Sequence, residues 1–138
     1  MATAKIMDGK KLAAQLRENF KQRIANLQQN QGLTPGLAVI LVGENPASQV
    51  YVKNKVLACE SVGIHSEKIT FDANISEEVL LNKIKELNAD PKIHGILVQL
   101  PLPPQINENK ILAAISINKD VDGFHAENVG LLAQGKPQ

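Results

Sequence analysis

An α/β architecture, with a mostly parallel sheet between layers of helices, follows from three features of the chain. The apolar run at 37–42 is too brief for a buried helix and lacks alternation, as expected of a strand covered on both faces, and 93–98, apolar but for His94, is similarly short. Between them lie longer segments whose apolar residues recur at three- and four-residue steps. Glycine and proline clusters fall at the joints between the two kinds of segment. Repeated strand–helix alternation implies one layered domain with right-handed crossovers.

Asp8 is placed to cap a first helix, in which Leu12, Leu16, Phe20, Ile24 and Leu27 form an apolar stripe that ends before Gly32. Thr34-Pro35-Gly36 then leads into the strand Leu37–Val42. Gly43 closes it, and Asn45-Pro46 supplies a cap and a first helical position, since proline fits where no N–H partner is needed. That helix is expected over 46–62, with Gly63 as its stop. Ile64 to Phe71 reads as a second strand of lower apolarity, near a sheet edge. Ser76 with Glu77 and Glu78 suits another helix start, with Leu80, Leu81, Ile84 and Leu87 as its buried face.

Asn88-Ala89-Asp90-Pro91 breaks that helix. Ile93 to Leu100 reads as a third, central strand that closes in the loop Pro101-Leu102-Pro103-Pro104. A helix over about 107–115 follows, then a polar turn, Asn118 to Phe124, and an irregular tail. No internal repeat or low-complexity segment interrupts this order.

Composition narrows the function classes. Fifteen basic and fourteen acidic residues give a formal charge of +1, with one Tyr and three Phe, so neither a phosphate-binding stripe nor a base-stacking platform is present. The single Cys59 excludes an internal disulfide, and His65, His94 and His125 are too scattered for local zinc-ligand spacing. No apolar run approaches the roughly 20 residues of a membrane span, and the N-terminus lacks the apolar core of a signal peptide. A cytoplasmic protein without nucleic-acid or membrane partners is the expectation.

The stretch GENPASQVYVKNKVLAC, residues 43–59, carries the densest chemistry. On a helix, Ser48, Tyr51 and Lys55 fall within an arc of roughly 60°. A lysine held against an apolar wall can lose its proton near neutral pH and act as a base, with a phenol beside it to donate a hydrogen bond. The same spacing also describes a surface pair in which the lysine stem lies along the ring. Ligands in open α/β sheets gather beyond the carboxyl ends of the strands, where Gln99, its prolines and the Asp120/Asp122 turn also arrive. Gln99 is placed either to hold a neighbouring amine or to satisfy loop backbone, and Asp122 is equally a turn former before Gly123. Tyr-x-x-x-Lys also occurs in short-chain dehydrogenases, but no glycine-rich nucleotide loop or Walker pattern accompanies it here.

Three blocks in order, VGENPASQVYVKNK, GILVQLPLP and KDVDGFHAENVGLL, together resemble the bifunctional methylenetetrahydrofolate dehydrogenase/methenyltetrahydrofolate cyclohydrolase family, from Ile6 to Gly135. The resemblance implies a folate-binding catalytic domain over 1–138. In it Lys55 is the acid/base, Tyr51 packs on the folate, Gln99 orients and tunes Lys55, and Asp122 binds the pterin. Ser48 lies beside the tyrosine and lysine, and Leu100 and Pro101 begin a wall of the folate slot. The implied reactions are oxidation of 5,10-methylenetetrahydrofolate by NADP or NAD, then hydrolysis of the methenyl product to 10-formyltetrahydrofolate. Such an enzyme belongs to one-carbon metabolism and supplies purine, methionine and histidine synthesis.

Family members usually continue into a Rossmann domain that binds NADP and builds most of a homodimer, then return a last helix to the first domain. The expectation is therefore a fragment that has the folate site, lacks a dinucleotide site and is inactive as a dehydrogenase. Apolar surface left uncovered would favour self-association. Ile117 and Ala126 stand where the family usually has proline. A non-catalytic folate-binding or subunit-pairing module is the competing reading, against which Lys55 and Gln99 both weigh.

Overall fold

The computed structural model describes Ala4 and residues 6–137; part of the N-terminal segment read above for a leader lies outside them. The element order is α1 (Gly9–Gln31), β1 (Gly36–Val42), α2 (Pro46–Val62), β2 (His65–Phe71), α3 (Glu77–Ala89), β3 (Gly95–Val98), α4 (Glu108–Ala114), a 3-10 turn (Ile117–Lys119) and α5 (Ala126–Ala133). All three strands are parallel, in the order β2-β1-β3.

Each long helix begins where its cap residue predicts. Asp8 Oδ1 accepts from Lys11 N at 3.0 Å, Asn45 Oδ1 from Ser48 N at 3.1 Å, and Ser76 Oγ from Val79 N at 3.3 Å. Each bond satisfies a first-turn N–H that has no intrahelical partner, a contribution of about 1 kcal/mol per cap. Gly32 and Gly63 end α1 and α2 in the left-handed conformation.

Strand β1 is the axis of the core. Ala38, Ile40 and Val42 face a cluster with Leu80, Ile84 and Leu87 of α3, Ile96 and Val98 of β3, and Ile111 of α4. Val39 and Leu41 face the other way, toward Val52 of α2 and Leu97. Both faces are therefore covered, and each fully buried Ile, Leu or Val contributes about 1.5–3 kcal/mol. The absence of polar alternation in the sequence of β1 has this cause.

Three expectations need correction. The central strand is β1, while β3 is shorter than 93–100 and lies at the side of the sheet. It is nonetheless buried throughout, because Asp120 bridges to Ile96 and Val121 covers Gly95, where a Cβ would stand 2.5 Å from Val121 Cγ1. Burial from this loop gives β3 the apolar composition of a central strand. Second, the tail holds a helix, α5, entered at His125. Third, the stripe on α1 is mostly open: Ile24 is buried, but Leu12, Leu16 and Phe20 are 56%, 44% and 46% exposed. Only the C-terminal part of that stripe meets the body of the domain, where Ile24 approaches Gly63.

Among the described residues, no helix is long and apolar enough to cross a membrane, and no three His, Cys, Asp or Glu are grouped to hold a metal ion.

Candidate functional site

The carboxyl ends of β1 and β3 set the site. Gly43 ends β1 with φ +83°, a value that favours glycine, and its N–H donates to Phe71 O at 2.9 Å. The chain turns through Glu44 and Asn45 into α2. Along this helix Ser48 and Val52 point into the body, 4% and 0% exposed. Tyr51 stands outside at 61% exposure, and Lys55 is half-buried between these two environments. The arc shared by Ser48, Tyr51 and Lys55 thus straddles the edge of the core, with the hydroxyl residue inward and the phenol outward.

Gln99 meets Lys55 across 44 residues of sequence. Lys55 Nζ donates to Gln99 Oε1 at 3.2 Å, while Gln99 Nε2 donates to Leu100 O at 2.9 Å. A carbonyl oxygen only accepts, so the contact with Leu100 O fixes which way the amide points and turns Oε1 toward the amine. The backbone of Gln99 is fixed too, because its N–H donates to Ile40 O at 2.9 Å and prolongs the β1–β3 pairing. Leu100 packs on the core, Pro101 is exposed, and the peptide bond between them is cis.

Asp122 comes from the loop after the 3-10 turn. Partial burial pushes its carboxyl above the usual aspartate range, Lys55 pulls it down, and Asp120 pushes it up. Asp120 behaves oppositely. Burial raises it, but hydrogen bonds from Asn128 and from the backbone N–H groups of His125, Phe124 and Gly123 outweigh that and hold it below the ordinary value. The distances are 2.9 Å from Asn128 Nδ2 and 2.8 Å from His125 N, both to Oδ2, and 3.3 Å from Phe124 N to Oδ1.

The structure therefore brings Lys55, Gln99 and Asp122 into one region, with Tyr51 one helical turn before the lysine and Ser48 beneath it. Asn128 and His125 were not legible as site-framing residues, since the helix that carries Asn128 was read as irregular. A cavity of about 480 Å³ is lined by Asp120, Asp122, Gly123, Asn118, Asn128 and Leu132. A larger one of about 660 Å³ lies at the amino ends of the strands, beside His65, His94 and Lys92. Neither includes Lys55 or Gln99, so the site is located by its donors, acceptors and charges rather than by cavity size.

The arrangement offers a carboxylate acceptor at Asp122, an exposed phenol at Tyr51 and an amine at Lys55 that can take part in proton transfer. Its β1–α2 turn does not have the form of a glycine-rich dinucleotide loop. The β1–α2 turn has one glycine and carries the Glu44 carboxylate, and the N–H of Ser48 is already taken by Asn45.

A family model described as tetrahydrofolate dehydrogenase/cyclohydrolase, catalytic domain, matches residues 7–122. The chain is 63% identical over 136 residues to the bifunctional protein FolD of Dechloromonas aromatica (strain RCB), covering 99% of this chain and 48% of that protein. The crystal structure of the bifunctional FolD methylenetetrahydrofolate dehydrogenase/cyclohydrolase from Campylobacter jejuni superposes with a TM-score of 0.92 at 50% identity, over 95% of this chain and 46% of that one. The Trypanosoma brucei methylenetetrahydrofolate dehydrogenase-cyclohydrolase, complexed with NADP cofactor and inhibitor, gives 0.89 at 34% identity, over 96% and 45%. The chain thus spans about half the length of the relatives it matches.

Proposed function

The chain belongs to the tetrahydrofolate dehydrogenase/cyclohydrolase catalytic-domain family, and from that premise we propose that it is the folate-binding catalytic domain of a bifunctional enzyme. The enzyme oxidises 5,10-methylenetetrahydrofolate to the methenyl form with NADP and hydrolyses that product to 10-formyltetrahydrofolate. The observation that carries this reading is the 3.2 Å contact between Lys55 Nζ and Gln99 Oε1 at the carboxyl ends of β1 and β3.

Tyr51 offers an open aromatic face to a pterin ring, and Ser48 fixes the helix wall beneath it. Asp122 accepts from the pterin amino group and adjacent ring N–H, two donors on one edge that suit a carboxylate. Leu100 and Pro101 close the slot on the side of β3. NADP supplies a hydride acceptor when bound; the residues described here bind and orient the folate and handle its protons.

For ring opening, water adds to the cationic methenyl carbon and must lose a proton. Lys55 in its neutral form takes it, and the cationic ligand disfavours an ammonium at the same place. The C–N5 bond of the resulting carbinolamine then breaks, with N5 receiving a proton and the carbon becoming the N10-formyl group. Gln99 contributes by holding the amine in position through Oε1 while Leu100 O fixes its own amide.

The test is the loss of methenyltetrahydrofolate absorbance catalysed by the purified protein, with Lys55→Met as the comparison. Lysine-dependent turnover is expected. Full turnover by Lys55→Met, with the fold intact by circular dichroism, would overturn the assignment of Lys55.

A further inference from the structure

We propose that Asn128, acting through Asp120, is a positioning residue that sets Asp122 for its ligand; this rests on the reading of Asp122 as a folate-binding carboxylate. Asn128 lies beyond the residues matched by the family model, on the helix that sequence reading did not find. Its Nδ2 group donates both to Asp120 Oδ2 at 2.9 Å and to Ile117 O at 3.1 Å. Asp120 in turn accepts from Phe124 N through Oδ1 and from His125 N through Oδ2. The Asp120 side chain thus spans the loop, tying its start to its end with Asp122 between.

The other side of the loop is held by the sheet. Asp120 bridges to Ile96, and Val121 lies against Gly95. Among the described residues no such hydrogen bond holds the side chain of Asp122, which leaves its oxygens open to a ligand while the flanking backbone is fixed. Ordering a short loop before the ligand arrives removes a conformational cost from binding. Among the described residues, Asn128 is the side chain that joins α5 by hydrogen bonds to both the 3-10 turn and the loop.

The experiment measures binding of 5-formyltetrahydrofolate, a stable reduced folate, by calorimetry on the full chain as wild type, Asn128→Ala, Asp122→Asn and the double variant. Asn128→Ala should weaken binding roughly tenfold, the effect of losing a hydrogen bond to a charged group. In the Asp122→Asn background it should cause little further loss, because the residue acts only through Asp122. Equal losses in both backgrounds would assign Asn128 a merely structural role and overturn the inference. Wild type that binds no reduced folate would instead overturn the functional reading beneath it.

Asn128→Asp keeps the fold testable should the alanine variant unfold. It places a second carboxylate against Asp120, so its binding should be weak near pH 7 and recover toward wild type at lower pH, where the pair shares a proton. Both proteins are compared at each pH. A constant ratio between them across the range would refute the proposal.

Discussion

Replacing Gln99 by Glu would test the lysine chemistry most directly. The neutral amide oxygen 3.2 Å from Lys55 Nζ becomes a carboxylate, which stabilises the ammonium. At that separation, two unit charges interact by about 1 kcal/mol in bulk water and by about 5 kcal/mol at an effective dielectric of ~20. Both side chains are half-buried rather than enclosed, so solvent screening brings the useful figure to about 1–3 kcal/mol. That corresponds to roughly 10- to 100-fold in favour of the charged pair. If the neutral amine is the base, ring opening near pH 7 falls by about that factor and recovers as the pH is raised. The Glu side chain also loses the N–H that bonds Leu100 O, so Gln99→Met, which loses that bond without adding charge, separates the two effects. Stopped-flow loss of methenyltetrahydrofolate absorbance as a function of pH is the assay. An unchanged rate near neutrality, or a slower rate with no alkaline displacement of the profile relative to Gln99→Met, would refute the neutral-amine argument.

Other consequences follow from the same geometry. Asp122→Asn should raise the melting temperature near neutral pH while weakening folate binding to a level calorimetry still measures: burial pushes the carboxyl up, so its ionised form costs stability above its ordinary range, a cost relieved as the pH falls through the raised value. Asp120 has the opposite sign, since its depressed carboxyl contributes stability that is present above the unfolded value near 4 and lost as the pH falls through the folded one. Asn128→Ala should therefore flatten the acid limb of a thermal-unfolding series. Gly95→Ala sets a Cβ 2.5 Å from Val121 Cγ1 and 3.2 Å from Leu37 Cδ1. It should cost about 1–3 kcal/mol and weaken folate binding by moving the Asp122 loop; a melting temperature within a degree of wild type would contradict this. Leu16→Glu with Phe20→Glu, on the open stripe of α1, should reduce self-association measured by sedimentation without loss of helix signal.

What could be read from the chain depended on whether the cause was local. Helix starts at Asp8, Asn45 and Ser76 were legible because a capping oxygen and its N–H partner lie three residues apart. Strand β1 was legible because burial on both faces removes every polar position. The order of strands was not, since Ile93 to Leu100 owes its apolarity to cover from the loop at Asp120 and Val121, a contact from more than twenty residues downstream. Helix α5 escaped notice because a glycine, Gly130, interrupts its periodicity and His125, an uncommon cap, opens it. Lys55 and Gln99 stood out by residue type and by their places at a helix face and a strand end. Their hydrogen bond depends on the parallel pairing of β1 and β3, which the sequence only suggested. The clasp of Asp120 by Asn128 had no signal at all, because it requires a helix that was not anticipated.

The ladder that brings Gln99 to Lys55 is also the shorter of the two in the sheet. Strand β1 meets β2 over seven residue pairs and β3 over four. The chain closed between β1 and β3 is about twice as long as that between β1 and β2, although doubling a loop adds only about 0.6 kcal/mol of closure cost. Retention of β3 therefore rests on its buried side chains more than on backbone pairing. A fluctuation that lifts β3 away parts the amine from its amide while β1 and β2 stay joined. The chemical reactivity of Lys55 toward an acylating reagent is thus a gauge of whether the sheet is fully closed, and the amine keeps its partner only while the last strand stays docked.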